Sequence, residues 1–253
     1  MIFKALASGS KGNSSLLKCG NLNILIDVGI NYKTLSDRLN EENMSPSDLD
    51  IILITHTHSD HIKGLSSLIR KTHKKVYIHQ NMLDDMLKYI NRESIELLGD
   101  NISIDDVNIK LIPLSHDVIA YGFVIDYANK SIVYITDTGY INKKYYPLLT
   151  NKNIYLIEAN HDVEMLMNGP YPYYLKQRVV GDYGHLSNEA CGHMLKKCIG
   201  KDTRYVLLAH ISENNNTKDI AYNCIKNMLE EVGFDSNNII IADQYESSEL
   251  IEV

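Results

Sequence analysis

The stretch Ile51-Ile52-Leu53-Ile54-Thr55-His56-Thr57-His58-Ser59-Asp60-His61 sets four apolar residues directly ahead of three histidines and a carboxylate. An Ile-rich run of that length, entered from Asp48-Leu49-Asp50, reads as a strand buried on both faces. Neutral imidazoles and a carboxylate are the ligands that a borderline divalent cation takes. Rings packed so closely repel one another once protonated, so something must hold them neutral and converged. A bound metal is the simplest candidate. The bland alternative, a polar loop with histidines gathered by chance, suits a lone histidine better than His-x-His-x-Asp-His on the end of a buried strand.

A centre at the mouth of that strand needs ligands from other strands. Residues 111–115 run into His116, 132–136 into Asp137 and 205–209 into His210; residues 24–26 end at Asp27 and 154–157 at Glu158. Each apolar segment stops at one metal-competent side chain, which places the candidates at carboxyl ends of strands, where α/β sheets build their sites. His116 and His210 read as ligands over ordinary core or surface histidines. Asp27, followed by Val28-Gly29, reads as a turn residue or a carboxylate that orients a ligand, in preference to a ligand itself.

A chain of 253 residues is long enough for one large domain or two small ones. The spread of candidates from His56 to His210 favours a single domain over 1–253, because a break anywhere between would split the site. A formal charge of −7 argues against a general polyanion-coating protein. It leaves room for a nucleic-acid substrate, since divalent cations invert the local sign. Cys19, Cys191, Cys198 and Cys224 lack Cys-x-x-Cys spacing, and Cys191 and Cys198 stand two helical turns apart, too far for a bridge. They read as buried thiols in a reducing cytoplasm. No apolar run approaches the length of a membrane span or an export signal, so neither membrane spanning nor export is expected.

Residues 2–7, 15–19 and 23–27 read as strands of a meander, 32–42 as a surface helix and 64–69 as the start of another. The basic run 70–75 reads as the solvated end of that helix, complementing its dipole. A strand at 76–78, a helix at 80–89 and strands at 103–113, 119–127 and 130–136 follow. Helices are expected over 188–198, capped by Ser187, and over 217–232, capped by Thr217 and closed by Gly233, with a last strand at 238–242. Two strand-rich, helix-flanked halves suit a four-layer αββα sandwich better than a doubly wound sheet.

Three segments carry candidate substrate contacts. The loop 8–15 is rich in glycine and hydroxyls and could cradle a phosphate through Ser8, Ser10 and Asn13, although it lacks Walker spacing; an ordinary hairpin connection fits it equally well. In 169–178, three tyrosines precede Lys176 and Arg178, a mixture suited to stacked bases and phosphates. Asn160 and His161 lie just past a strand end, and His185 precedes the cap of 188–198.

Asp27, His-x-His-x-Asp-His, His116, Asp137 and His210 occur in the order of the motifs of the metallo-β-lactamase superfamily, which this chain resembles over nearly its whole length. The stretches 7–14, 158–162, 169–172, 175–178 and 184–189 are similar to its YycJ (WalJ) subgroup. The resemblance implies an αββα sandwich and a metal-dependent hydrolase acting on the phosphodiesters of nucleic acid, as a 5′-to-3′ exonuclease on double-stranded DNA. It implies that His56, His58 and His116 hold one divalent ion, that Asp60, His61 and His210 hold a second, and that Asp137 bridges them, the metal being zinc, manganese or iron. Asp60 would steer the attacking water, and His161 and His185 are the free imidazoles placed to protonate the leaving group. No β-CASP insert separates Asp137 from His210, the exosite arm of tRNA 3′-processing enzymes has no counterpart, and true β-lactamases lack a ligand at the place of His61. The alternative is a glyoxalase II-like thioester or lactone hydrolase, which resembles the same seven ligands but needs no basic, aromatic groove.

Overall fold

Side-chain alternation along the strands separates two apolar environments and so builds the layers. The computed structural model describes residues 1–253. The first sheet contains β1 (Ile2–Ala7), β2 (Ser14–Cys19), β3 (Leu22–Ile26), β4 (Ile51–Leu53), β5 (Val76–His79) and β6 (Ile95–Leu98). The second contains β7 (Asn101–Ile104), β8 (Val107–Pro113), β9 (Tyr121–Tyr127), β10 (Lys130–Ile135), β11 (Ile154–Glu158), β12 (Tyr205–Ala209) and β13 (Ile239–Ile241). The short β14 (Ile251–Glu252) returns to the edge of the first sheet beside β1. Each sheet opens as an antiparallel meander, β1-β2-β3 or β7-β8-β9-β10, and continues in parallel strands, β3 to β6 or β10 to β13. Parallel neighbours present their carboxyl ends along one rim, which is what gathers a site there.

Along β10, Ile132 and Tyr134 join a cluster of 45 buried residues that also holds Leu16, Ile24, Ile52 and Phe123. Val133 and Ile135, on the opposite face, join a separate cluster of 20. The same period of two divides Ile154 and Leu156 from Tyr155 and Ile157 on β11. Helices α1 (Tyr32–Asn40), α2 (Ser59–Ile62), α3 (Leu65–Thr72) and α4 (Leu83–Met86) belong to the first half. Leu35, Leu39, Leu65 and Leu68 of α1 and α3 pack into the larger cluster. The second half carries α5 (Tyr146–Leu149), α6 (Val163–Asn168), α7 (Tyr173–Val180), α8 (Asn188–Cys198) and α9 (Lys218–Glu230). Met194 and Leu195 of α8 and Ile225 and Leu229 of α9 cover the outer face of the second sheet. The order is helix, sheet, sheet, helix, the expected αββα sandwich. Ser187 and Thr217 cap α8 and α9, accepting from the N–H groups of Ala190 and Ile220.

Some local expectations change. Residues 103–113 are not one strand: the chain reverses at Asp105-Asp106, with Asp105 in the left-handed region at φ 49°, and Ile104 pairs with Val107 across a two-residue turn. The helix expected over 80–89 is a single 3-10 turn followed by the short α4. β6 and β14 are additional strands. All four cysteines are free thiols, three buried and Cys224 partly so. No helix is long and apolar enough to cross a membrane.

Candidate metal centre

Asp27, Asp137 and His210 each stand just past a strand and share an unusual backbone, with φ of 62°, 59° and 52°. Left-handed conformations are uncommon for residues other than glycine, and three at the ends of β3, β10 and β12 mark a place where the chain turns sharply to aim a side chain. His56, His58, Asp60 and His61 come from the turn after β4 and from α2, which begins at Ser59. That turn is clamped from outside. The Asn13 N–H donates to the Asp60 carbonyl at 2.7 Å, and Val28 N–H donates to the His61 carbonyl at 2.8 Å. Gly29 lies so close beneath that a Cβ there would fall 1.7 Å from the Asp60 carbonyl oxygen.

The side chains gather into overlapping sets. His56, His58 and His116 form one; Asp60, His61, Asp137 and His210 form a second; Asp137, Glu158, His185 and His210 form a third that shares two members with the second, with all potential ligand atoms of a set within 4.8 Å of one another. Four of the five imidazoles are tied at one nitrogen, which turns the other inward. His56 Nδ1 lies 3.0 Å from Thr55 Oγ1, whose hydroxyl in turn donates to Asp27. His58 Nε2 lies 3.2 Å from Asp117 Oδ1, and His61 Nδ1 donates to Asp27 at 2.8 Å. His210 Nδ1 donates to Glu158 Oε1 at 2.8 Å. Outer partners of this kind fix tautomer and ring orientation in metal sites.

Several buried atoms have no hydrogen-bond partner, among them His56 Nε2, His116 Nδ1 and His210 Nε2. Asp137 Oδ2 is only 3.0 Å from His61 Nε2, and His116 Nε2 only 3.2 Å from His58 Nδ1. Buried polar atoms are rarely left orphaned, so lone pairs converging without partners fit a cation between them. The donors are nitrogen and oxygen with no thiolate, the mixture for zinc, manganese or iron. The residues present therefore fit divalent metal ions.

Electrostatics point the same way. Burial opposes a charge on His61, but Asp27 and Asp137 outweigh it and hold its pKa up at about 10. Burial likewise opposes a charge on His210, and Asp137, Asp60 and Glu158 lift it well above the ordinary value. Burial and the neighbouring His61 ring push His56 well below its usual range. Asp137 stays ionised despite burial because His210 and His61 face it. The pocket favours positive charge at His61 and His210 and rejects protons at His56 and His116, a division that metal ions would satisfy on both sides.

The centre opens into a cavity of about 280 Å³ whose wall includes Ser10, Tyr171, Arg178, Tyr183 and His185. His185 Nδ1 donates to Glu158 Oε1 at 2.7 Å, and Glu158 Oε2 accepts from the N–H groups of Thr138 and Leu186. Burial opposes a charge on His185, and Glu158 more than offsets it. His161 is placed differently: it is buried, does not line this cavity, and burial pushes its pKa down to about 4. Ser8 accepts from the His210 N–H at 2.8 Å and faces another cavity. Asn13 is buried with its amide nitrogen 3.0 Å from His61 Nε2, and Asn160 donates to the His210 carbonyl at 2.9 Å. Lys176 is turned away, its ammonium donating to the Met167 carbonyl at 2.7 Å. Asp117 and the role of Glu158 lay outside the expected set. The signals available were a carboxylate directly after His116 and another ending β11.

Residues 22–211 match the beta-lactamase superfamily domain. The chain is 39% identical over 239 residues to exodeoxyribonuclease WalJ of Streptococcus pneumoniae (strain D39), covering 90% of this chain and 88% of that one. It is 34% identical over 238 residues to exodeoxyribonuclease YycJ of Bacillus anthracis, covering 92% and 90%. Among solved structures, the metallo-β-lactamase fold protein YhfI of Bacillus subtilis aligns with a TM-score of 0.73 at 17% identity over 98% of both chains. The short form of human tRNase Z aligns with a TM-score of 0.67 at 15% identity over 98% and 99%. With the ligand-bearing rim and the sandwich already in hand, these likenesses settle kinship: the chain belongs to the metallo-β-lactamase superfamily, in the subgroup of WalJ and YycJ.

Proposed function

We propose that this protein is a metal-dependent exodeoxyribonuclease that degrades double-stranded DNA from its 5′ ends with two divalent ions, zinc or manganese. The names of the relatives at 39% and 34% identity support the activity. The observation that carries the reading is that one cavity, beside the two assigned ligand sets, is lined by both an imidazole outside them and a guanidinium: His185 and Arg178. A phosphodiester needs a cation for its charge and a proton for its leaving alkoxide. A thioester, whose thiolate leaves unprotonated, needs neither, so the glyoxalase-like alternative leaves these two groups without work.

His56, His58 and His116 would hold one ion; Asp60, His61 and His210 the other; Asp137 would reach both. When bound, the pair supplies an acidified water and neutralises charge on the phosphate during in-line displacement. Asp60, whose carboxyl stays below the usual range because His210 and His61 outweigh its burial, accepts a hydrogen bond from the attacking water and orients it. His185 delivers a proton from Nε2 to the leaving oxygen, while Nδ1 stays on Glu158 and keeps the ring aimed. Residues 1–253 act as one domain in this scheme, because each ligand set takes members from both sheets.

The test is turnover by the metal-loaded protein on duplex DNA labelled at either end, on single strands, on RNA and on a thioester, each with added Mn²⁺ or Zn²⁺. Release of mononucleotides from the 5′ label of the duplex is expected. Thioester turnover with intact DNA would refute the reading.

A further inference from the structure

Asp117, directly after the ligand His116, faces two ways. Its Oδ1 lies 3.2 Å from His58 Nε2 and 3.4 Å from His116 Nε2. Its Oδ2 pairs with the guanidinium of Arg178. The side chains are 31% and 63% exposed, so the pair stands at the mouth of the cavity rather than on its floor. Arg178 is the one lysine or arginine lining that cavity, against the carboxylates of Asp60, Asp117 and Asp137.

Arg178 rides on α7, an eight-residue helix with no buried residue. Leu175 and Val179 of the same helix also line the cavity, the spacing of a single face, while Tyr173 and Tyr174 stand in solvent at 72% and 75% exposure. Helices are held chiefly by packing, and α7 has little of it, so the bond to Asp117 carries a share of its placement. Exposed ion pairs contribute little to stability, about 0–1 kcal/mol, so holding the fold together does not account for this one. What the pair does well is hold a phosphate-binding group in reserve: guanidinium matches a phosphate as readily as it matches a carboxylate.

We infer that Arg178 exchanges partners on substrate entry, leaving Asp117 Oδ2 for a non-bridging oxygen of a DNA phosphate while Asp117 keeps Oδ1 on His58. Asp117 is thus a positioning residue with two effects. It fixes the His58 ring so that Nδ1 turns towards His116, where the two would share an ion, and it competes with substrate for Arg178, so that only an anion able to displace a carboxylate engages the helix. The inference rests on the nuclease reading of this site and adds to it the group that selects for phosphate.

The experiment measures, in Mn²⁺-loaded protein, the Kd of a fluorescent phosphorothioate duplex by anisotropy, together with kcat on the unmodified duplex and metal content by mass spectrometry. Arg178→Ala should weaken binding roughly 10-fold and lower the salt slope of log Kd by about one; Arg178→Lys should recover part of the loss. Asp117→Asn should tighten duplex binding severalfold at saturating metal while lowering metal affinity roughly 10–100-fold. In the double variant Asp117→Asn with Arg178→Ala, the tightening should vanish. An unchanged Kd and salt slope in Arg178→Ala, with cleavage intact, overturns the exchange, and so does tightening that survives in the double variant. Binding that follows the expected pattern without any cleavage overturns the nuclease reading and leaves the exchange standing.

Discussion

Asp27 Oδ2 lies 2.8 Å from His61 Nδ1, and both side chains are fully buried. The carboxylate also accepts from the Thr55 N–H at 2.8 Å, so one side chain orients the His61 ring and clamps the segment that leads to His56, His58 and Asp60. Asp27→Asn keeps the shape and tolerates the left-handed backbone, but removes the charge. Metal affinity at the set containing His61 should fall roughly 10–100-fold, while His56, His58 and His116 keep their ion. Metal content per chain, measured after dialysis, should drop towards one; two retained ions would refute the assigned role.

Protonation of His61, with its pKa at about 10, and of His210, also raised, sets the pH response. Both carry protons near neutrality in the metal-free chain and must lose them to ligate, so affinity should rise with pH and loading at pH 7 should release protons. Calorimetry in buffers of different ionisation enthalpy reads that release directly. For the metal-free fold the sign is opposite: a raised His61 stabilises fully below the ordinary value of 6.5, and this contribution is lost as pH climbs through about 10. The metal-free Tm should therefore fall over that window.

Gly29 admits no side chain, because a Cβ would meet the Asp60 carbonyl at 1.7 Å and the Asn13 nitrogen at 2.5 Å, both backbone. Gly29→Ala should destabilise by about 3 kcal/mol through overpacking, a Tm loss on the order of 6–12 °C for a chain of this size. Thermal melts with metal present check it, and an unchanged Tm would mean that the loops are free to separate.

His185→Ala should lower turnover about 10²–10⁴-fold as a lost proton donor, with metal content intact. In the unaltered protein Glu158 holds the His185 pKa up against burial, so the protonated form persists above the ordinary histidine range and turnover should decline on the alkaline side. Glu158→Gln should move that decline to lower pH. A pH–rate profile of His185→Ala with the same alkaline limb would assign the proton to another group.

The gathering of these side chains was legible because each strand ends abruptly at one polar residue: Ile154 to Ile157, all buried, stop at Glu158, and Tyr205 to Ala209 at His210. Chemistry and periodicity coincide there. β6 was not legible, since only Ile95 and Leu98 of its four residues are buried. β14 has two residues and exists through its pairing with β1, a tertiary fact with no local signature. Asp117 was hidden for a different reason. A carboxylate beside a histidine is common, and only the fold brings Arg178, 61 positions away, to its outer oxygen.

The sets of His56, His58 and His116 and of Asp60, His61, Asp137 and His210 each draw on both halves of the sandwich, with His56, His58, Asp60 and His61 leaving the first sheet and His116, Asp137 and His210 the second. The ions would act as rivets across the seam, so a chelator would loosen the whole molecule as well as silence it. At free metal 1,000-fold above the dissociation constant, each rivet would add about 4 kcal/mol of resistance to unfolding. Supply of metal in the cell would then govern how long the protein survives proteolysis, and abundance would follow the same ions as turnover.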